Sequence, residues 1–425
     1  MPRADDRFVV VGGGIAGLVA ARRLALSGAS VVLLEAGDHF GGQLARHRLA
    51  GLELDAGAES FAVRGGTVAA LLAELGLADD IVSPEPLPSW LLRADGSAVP
   101  LPATSLLGIP ANPLADDVVA VIGRGAARRA RFDAVLPAFV GTRATSLGEL
   151  VEHRMGRGVL DGLVAPIVRG VHSREPGELS VEAAAPRLRE LIRERGSLAA
   201  AVRELRASAP AGSQVGGLRG GMFRMTDRLV VQAERAGVEL VTGARVDRVD
   251  ADAAWVAGQR HPGRVVLAAP GLHGPSPTTR GITLVTLVVE APQLDDAPRG
   301  TGVLVAAGSG TGVSARALTH LTAKWRWIAE SMPGRHALRL SFDGTPADAL
   351  DRAPHDAEAI LGVPVGRVVD ADSIRWERAG TAPGGAASGI PSIGETASGT
   401  GLAAVVAQAE SVVRRLLADS EKMDE

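Results

Sequence analysis

What most constrains this chain is a strand, a glycine turn and a helix met in that order within its first 28 residues. Phe8-Val9-Val10-Val11 is a short β-branched run, and Gly12-Gly13-Gly14-Ile15-Ala16-Gly17 follows at once. Leu18 to Ser27 then has helical periodicity, with Gly28 placed to stop it. Gly12 permits the tight turn, Gly14 lets a pyrophosphate approach the backbone, and Gly17 lets the helix pack on the strand. The N–H groups of the helix start face the phosphates. A second buried strand, Val31-Val32-Leu33-Leu34, ends in Glu35, eighteen residues after Gly17 and at the right reach to accept both ribose hydroxyls. The N-terminal region is therefore expected to be an α/β dinucleotide-binding domain.

This reading disposes of the apolar stretch Phe8 to Leu26 as a signal peptide, since Gly12, Gly13, Gly14, Arg22 and Arg23 interrupt it and no cleavage pattern is present. No other run approaches the roughly eighteen apolar residues of a membrane span. A cytoplasmic protein is expected, with peripheral membrane contact left open. A formal charge of -3 argues against a nucleic-acid partner, which would need clustered positive charge. The absence of cysteine excludes disulfides, thiolate metal sites, a cysteine nucleophile and a cofactor tethered through cysteine sulfur. The absence of tyrosine, with only seven Phe and five Trp, removes the usual aromatic cage for a cationic amine. Lys324 and Lys422 are the only lysines beside many arginines, so an isolated Arg says little.

At 425 residues the chain is long enough for two or three domains. Prolines 84, 86, 88, 100, 102, 110 and 113 open a stretch that becomes mostly helical to about residue 208, including Arg195 to Ser208 with a face of Leu198, Val202 and Leu205. The nucleotide domain resumes near Gly216-Gly217-Leu218-Arg219-Gly220-Gly221-Met222, followed by a helix and strands at Gly237 to Val241, at Val246 and at Arg264 to Pro270. Ile282 to Val289, Gly302 to Ala306 and His336 to Phe342 read as strands of a second sheet. Ser392-Ile393-Gly394-Glu395 is strand-like, and Gly399-Thr400-Gly401-Leu402 opens an amphipathic helix to about Leu417. The expected architecture is a Rossmann domain split into 1–80, 213–275 and 372–425, a largely helical region at 81–212, and a substrate-binding sheet domain at 276–371.

The choice of cofactor rests on resemblance. Ala36-Gly37-Asp38-His39-Phe40-Gly41-Gly42-Gln43 resembles the second FAD signature of glutathione-reductase-like flavoproteins, with Gln43 where that pattern carries Arg. The chain as a whole resembles the oxygen-dependent porphyrinogen oxidases, the coproporphyrinogen III oxidase and protoporphyrinogen oxidase family among the amine-oxidase-like flavoproteins. Leu54 to Phe61 (LDAGAESF), Pro166 to Ser180 (PIVRGVHSREPGELS), Leu218 to Gly221 (LRGG) and Gly302 to Ile328 with its ALTHLTAKW core carry the likeness, the second most specifically.

The resemblance implies an α/β fold with a glutathione-reductase-like FAD-binding Rossmann domain, a mixed-sheet substrate domain and a helical region. It also implies non-covalent FAD, molecular oxygen as acceptor, a tetrapyrrole substrate and no metal. Carried over residue by residue, FAD contacts fall on Gly12, Gly13, Gly14, Ile15, Ala16, Gly17, Glu35, Ala36, Gly42, Gln43, Gly57, Ala58, Glu59, Ser60, Val246, Glu395, Thr400, Gly401 and Leu402, with Trp376 of a W-x-x-A pattern as a further candidate. The C-terminal helix would stabilise negative charge at the flavin. Porphyrinogen oxidation is hydride chemistry performed by the flavin, so the protein is expected to supply geometry. Gly170 beside the flavin face and Lys324 near its far end are the expected catalytic positions; burial beside Trp325 would lower the Lys324 pKa. Arg169 and Arg174 are candidates for the substrate's propionates. Coproporphyrinogen III is the expected substrate. Protoporphyrinogen IX, an amine or polyene substrate, and a weakly catalytic flavin- or porphyrin-binding role are the alternatives. The stretch from Trp376 to Gly394 is short against the family pattern, which bears on turnover.

Overall fold

Val9, Val10 and Val11 have almost no solvent exposure, as befits a strand flanked by neighbours on both edges and covered on both faces. In the structure, a computed structural model that describes residues 7–63, 65–172, 174–185, 187–207, 215–269, 272, 279–308, 310, 312–379 and 389–423, strand Arg7–Val11 is the interior strand of a parallel sheet. It pairs in parallel with Ser30–Leu34 on one side and with Arg264–Leu267 on the other. Glu239–Val241 pairs in parallel with Ser30–Leu34, giving the order 239–241, 30–34, 7–11, 264–267. Only crossover connections can join such strands.

The chain folds into two compact units. The first comprises residues 1–84, 214–282 and 374–425; the second, 85–213 and 283–373. In the first, helix Ile15–Leu26 lies on the parallel sheet with helices Phe223–Arg235 and Leu402–Met423, and Leu18, Leu24, Leu33, Met225, Leu229, Val406 and Val413 share one core. Arg22 and Arg23 fasten this layer. Arg22 reaches Gln232 (2.7 Å) and Glu74 (3.1 Å), and Arg23 reaches Glu74 (2.8 Å) and Glu410 (2.6 Å). The sheet's other face packs on an antiparallel meander, Val246–Asp250, Ala253–Val256 and Gln259–Pro262.

Three local expectations change. The C-terminal helix runs to Met423, beyond Leu417, because Leu416 still packs inward and no Gly or Pro stops it. Of Ser392 to Glu395, only Ser392 bridges a strand, beside Leu267, and Gly394 at φ +97 turns the chain into a short helix, Glu395–Ser398. Arg195 to Ser208 is two helices: Leu188–Arg195 ends at Gly196, whose φ of +80 breaks the run, and Leu198–Ala207 begins anew. Ser208 and Pro270 lie outside the described residues, as do 380–388 of the short stretch after Trp376.

In the second unit a seven-stranded mixed sheet has the order 367–379, 279–290, 336–343, 317–320, 302–305, 89–92, 98–100. Strands Ser89–Leu92 and Ala98–Pro100 come from the proline-rich stretch read as the start of a helical region. They are strands because Ser89–Leu92 pairs in parallel with Gly302–Val305, which only the tertiary fold brings alongside. Residues 85–213 and the sheet belong to one compact unit, where a separate helical region was expected. One face of the sheet packs through Leu318, Leu338, Leu340 and Phe342 on helix Ala349–Leu361. Helix Ala165–His172 lies against strand Gly302–Val305. A second core fills the helices, where Arg154 and Asp133, both fully buried, are paired at 2.5 Å.

A candidate nucleotide site in the first unit

Each glycine of the first turn has a distinct environment, and the differences define a site. A Cβ on Gly17 would lie 1.9 Å from the carbonyl oxygen of Gly12, so helix and turn touch backbone to backbone there. A Cβ on Gly12, at φ +105, would lie 2.8 Å from the Ala269 amide nitrogen, and one on Gly13 would lie 2.4 Å from the Phe40 ring. Gly14 alone is open. Its Cβ direction meets no atom of the chain within 4 Å.

Gly14 is also the N-cap of helix Ile15–Leu26, which has no side-chain cap and no acidic residue in its first turn. The N–H groups of Ile15, Ala16 and Gly17 have no intrahelical acceptor, because Leu18 is the first to reach back, to the Gly14 carbonyl (3.0 Å). An open glycine before a bare positive helix end fits a phosphate.

Glu35 stands half-buried at the end of the second strand. Its carboxylate accepts from the Gly13 amide (2.6 Å) and the Gly37 amide (2.7 Å), which fixes it against the turn. A carboxylate has about four acceptor positions, so two amides leave capacity for a ribose diol. Ala36 follows it, and Gly243 and Ala244 amides bind the Gly37 and Glu35 carbonyls, each at 2.7 Å. Nearby, the exposed Asp38 carboxyl is held below its ordinary pKa by its bond to His39.

The remaining candidates gather round this turn. Gly41 donates to the Gly13 carbonyl (2.8 Å), and a Cβ on Gly42 would lie 3.5 Å from the Gly14 Cα, so the second glycine pair runs beside the first turn. A Cβ on Gly57 would lie 2.4 Å from the Gln43 carbonyl oxygen, which places the Gly57 to Ser60 segment, with Ala58 on the core and Glu59 partly exposed, against Gln43. The Trp376 indole donates to the Ala56 carbonyl (3.1 Å). At the C-terminus, a Cβ on Gly394 would lie 3.5 Å from the Ala16 Cβ, bringing the segment of Glu395, Thr400, Gly401 and Leu402 to the first helix. Val246 belongs to the core with Val11 and Leu34.

Sequence reading missed Ala268 and Ala269, which close the turn from the end of strand Arg264–Leu267. It also missed Thr226, against which Gly41 packs with no room for a Cβ. Their one available signal was smallness. The other candidates belong to the second unit. Gly170 lies in helix Ala165–His172, where a Cβ would meet Leu304 Cδ2 at 2.4 Å. The Lys324 ammonium stands 5.2 Å from the centroid of the buried Trp325 ring, at the end of the short helix Leu321–Lys324, and Lys324 itself is only partly buried. Arg169, partly exposed, is engaged by Glu175 through two guanidinium nitrogens, each at 2.8 Å, which raises its pKa. Arg174 is partly exposed. Among the described residues, no group of His, Asp and Glu is arranged to hold a metal, and no helix is long and apolar enough to cross a membrane.

Residues 15–271 match the family described as flavin containing amine oxidoreductase. The chain belongs to that family. Its sequence relatives in it include coproporphyrinogen III oxidases: that of Mycobacterium tuberculosis is 32% identical over 79% of this chain and 76% of its own length. That of Propionibacterium freudenreichii is 29% identical, the match spanning 62% of this chain and 57% of the relative. A crystal structure of a protein from Exiguobacterium sp. 255-15, provisionally named protoporphyrinogen oxidase, superimposes with a TM-score of 0.80, at 22% identity and over 97% and 99% of the two chains. The fold is thus that of an amine-oxidase-like flavoprotein, and this family member is a flavin-dependent oxidoreductase.

Proposed function

We propose that this oxidoreductase binds FAD non-covalently in the first unit and oxidises coproporphyrinogen III to coproporphyrin III, with molecular oxygen as final acceptor, for haem formation. The observation that carries the substrate is the identity of 32% with the Mycobacterium tuberculosis coproporphyrinogen III oxidase over 79% of this chain. The specific segment from Pro166 to Ser180 agrees with it. The Exiguobacterium likeness, covering 97% of the chain, makes protoporphyrinogen IX the second reading.

In this reading Gly14 and the first-turn amides of Ile15, Ala16 and Gly17 take the pyrophosphate, and Glu35 takes the ribose. Bound flavin supplies the hydride acceptor. The chain lacks cysteine, so it offers no sulfur for a covalent link. Gly57 to Ser60, Trp376 and the 394–402 segment border the cofactor, and Gly170 and Lys324 orient the macrocycle. Arg169 and Arg174 are the candidates for the propionates; at Arg169 a propionate would have to compete with Glu175, which already holds its bidentate edge.

The test is aerobic turnover of FAD-loaded protein with coproporphyrinogen III and protoporphyrinogen IX side by side, followed by porphyrin fluorescence and peroxide release. A faster enzyme-dependent rise with coproporphyrinogen is expected. No rise with either would overturn the oxidase assignment and leave a binding role.

A further inference from the structure

Two histidines are buried where the second unit's sheet meets the turn that carries Lys324. His320 ends strand Ala317–His320 and His336 begins strand His336–Asp343; they are 1% and 8% exposed. His320 Nε2 lies 3.0 Å from His336 Nδ1, and the Thr322 hydroxyl lies 3.3 Å from the same nitrogen. On the far side of the ring, His336 Nε2 lies 3.0 Å from Oδ1 of Asp295, a largely exposed carboxylate that follows the turn Pro292–Leu294.

The chemistry of the chain fixes the tautomers. An ionised Asp295 only accepts, so the proton of neutral His336 is on Nε2 and its Nδ1 is a lone pair. Nδ1 therefore accepts from both His320 Nε2–H and the Thr322 hydroxyl. These two donors bracket Leu321, the first residue of helix Leu321–Lys324, so one imidazole nitrogen holds both sides of the point where the strand becomes the Lys324 turn. The far end of that turn is tied through its backbone, by the Glu85 amide on the Lys324 carbonyl (2.9 Å) and the Trp325 amide on Leu321 (2.8 Å).

We propose that His336, oriented by Asp295, is a positioning residue that sets where the Lys324 ammonium stands. The functional consequence rests on the reading of Lys324 as a residue that orients substrate; the positioning itself does not. A second proton on His336 would turn Nδ1 into a donor. His320 could then answer only by moving its own proton to Nδ1, a buried atom with no hydrogen-bond partner. The clamp therefore works in the neutral form. Burial lowers the pKa of His336, against the opposing pull of Asp295, and burial followed by the neighbouring His336 brings His320 down to about 3. The other charged groups alongside are Arg335, which is spent on Glu290 (3.3 Å), and Glu290 itself on strand Thr279–Glu290.

Because the chain has two lysines, reductive methylation with ¹³C-formaldehyde labels two side chains, and Lys422 near the C-terminus serves as an internal reference. The experiment follows the dimethyl-Lys324 resonance of the full-length protein from pH 8 to pH 5 in the native chain and in His336→Phe, His336→Asn and Asp295→Asn. His336→Phe is expected to shift or broaden the Lys324 signal at all pH values. His336→Asn, which keeps an acceptor near the Nδ1 position, is expected to restore most of it, and Lys422 stays unmoved. A Lys324 signal identical in the native chain, His336→Phe and Asp295→Asn overturns the proposal. Should His336→Phe not fold, Asp295→Asn decides the matter alone: a shifted Lys324 signal is expected, and an unchanged one overturns the proposal. Turnover gives a separate answer: if His336 acts through Lys324, the His336→Phe loss in kcat/KM disappears in a Lys324→Ala background. A multiplicative loss there overturns the proposal. Failure of the native chain to turn over any porphyrinogen would instead remove the substrate reading and leave the resonance test standing.

Discussion

The contrast between Gly14 and Gly17 yields a prediction that separates a ligand-facing glycine from a structural one. In Gly14→Ala the new methyl enters space that no chain atom occupies within 4 Å, at a backbone conformation (φ -67°, ψ -179°) that alanine adopts freely. Two small terms then oppose each other. Lower entropy of the unfolded chain stabilises by about 0.4–1 kcal/mol, and the poorer N-cap costs on the order of 0.5 kcal/mol. The ligand-free protein should unfold within about 0.5 kcal/mol of the parent. On the proposed placement of FAD, however, the methyl stands where the pyrophosphate approaches. Losing one hydrogen bond to a charged group costs about 1.5–3 kcal/mol, which at 1.4 kcal/mol per decade weakens FAD binding roughly 10- to 150-fold. Gly17→Ala reverses the pattern. Its methyl lies 1.9 Å from a backbone oxygen, which must retreat by about 1 Å, and the ligand-free protein should lose about 1–3 kcal/mol. Denaturant unfolding of apoprotein and titration of flavin fluorescence read the two quantities separately. Native FAD affinity in Gly14→Ala, with the fold intact, would refute the placement of the phosphates at this turn.

Glu35→Gln is expected to weaken FAD binding and to cost the apoprotein about 1–3 kcal/mol, because an amide NH2 would face one of the two backbone N–H groups its carboxylate now accepts; unchanged binding and unfolding would sink that role. Arg154→Met should cost about 3–5 kcal/mol in denaturant unfolding by leaving Asp133 buried without its partner, although Asp133 would keep the Leu198 and Ala199 amides (3.1 and 2.8 Å); a loss under about 1 kcal/mol contradicts it. For pH, a folded-state His320 pKa near 3 against an ordinary 6.5 gives stability that is complete above about pH 6.5 and lost as pH falls towards 3. At pH 5 the loss is about 2 kcal/mol, and His320→Asn should flatten the slope; a native chain equally stable at pH 7.5 and pH 5 would disprove the neutral burial.

The glycine turn was legible in the sequence because each glycine there answers a constraint on the backbone, and such constraints act over a few residues. Gly12, Gly13 and Gly17 stand where a side chain would strike Ala269, Phe40 or Gly12, and the Glu35 carboxylate follows its strand at a fixed interval. The strands at 279–290 and 302–305 were equally readable from their β-branched residues, and that at 336–343 from the alternation of Leu338, Leu340 and Phe342 with less apolar neighbours. What escaped depends on partners far along the chain. Ser89–Leu92 lies between prolines and becomes a strand only because Gly302–Val305 pairs with it. Gly196, inside an otherwise periodic apolar pattern, has a left-handed φ that makes it a stop, and periodicity alone carries no φ.

The same distinction governs the charges. Composition shows that the chain is rich in arginine; it does not show which arginines are already spent. Arg169 and Arg174 looked alike as partners for an anionic substrate, but a carboxylate six residues beyond Arg169 folds back from the following turn to occupy it. His320, Thr322, His336 and Asp295 carry no spacing that would link them, since strand pairing and the turn before it assemble the group. Sequence thus anticipates the geometry of the glycine turn well, because its determinants are local. It anticipates the hydrogen-bond partners of the charged groups poorly, because these are settled only when every neighbour has taken its share.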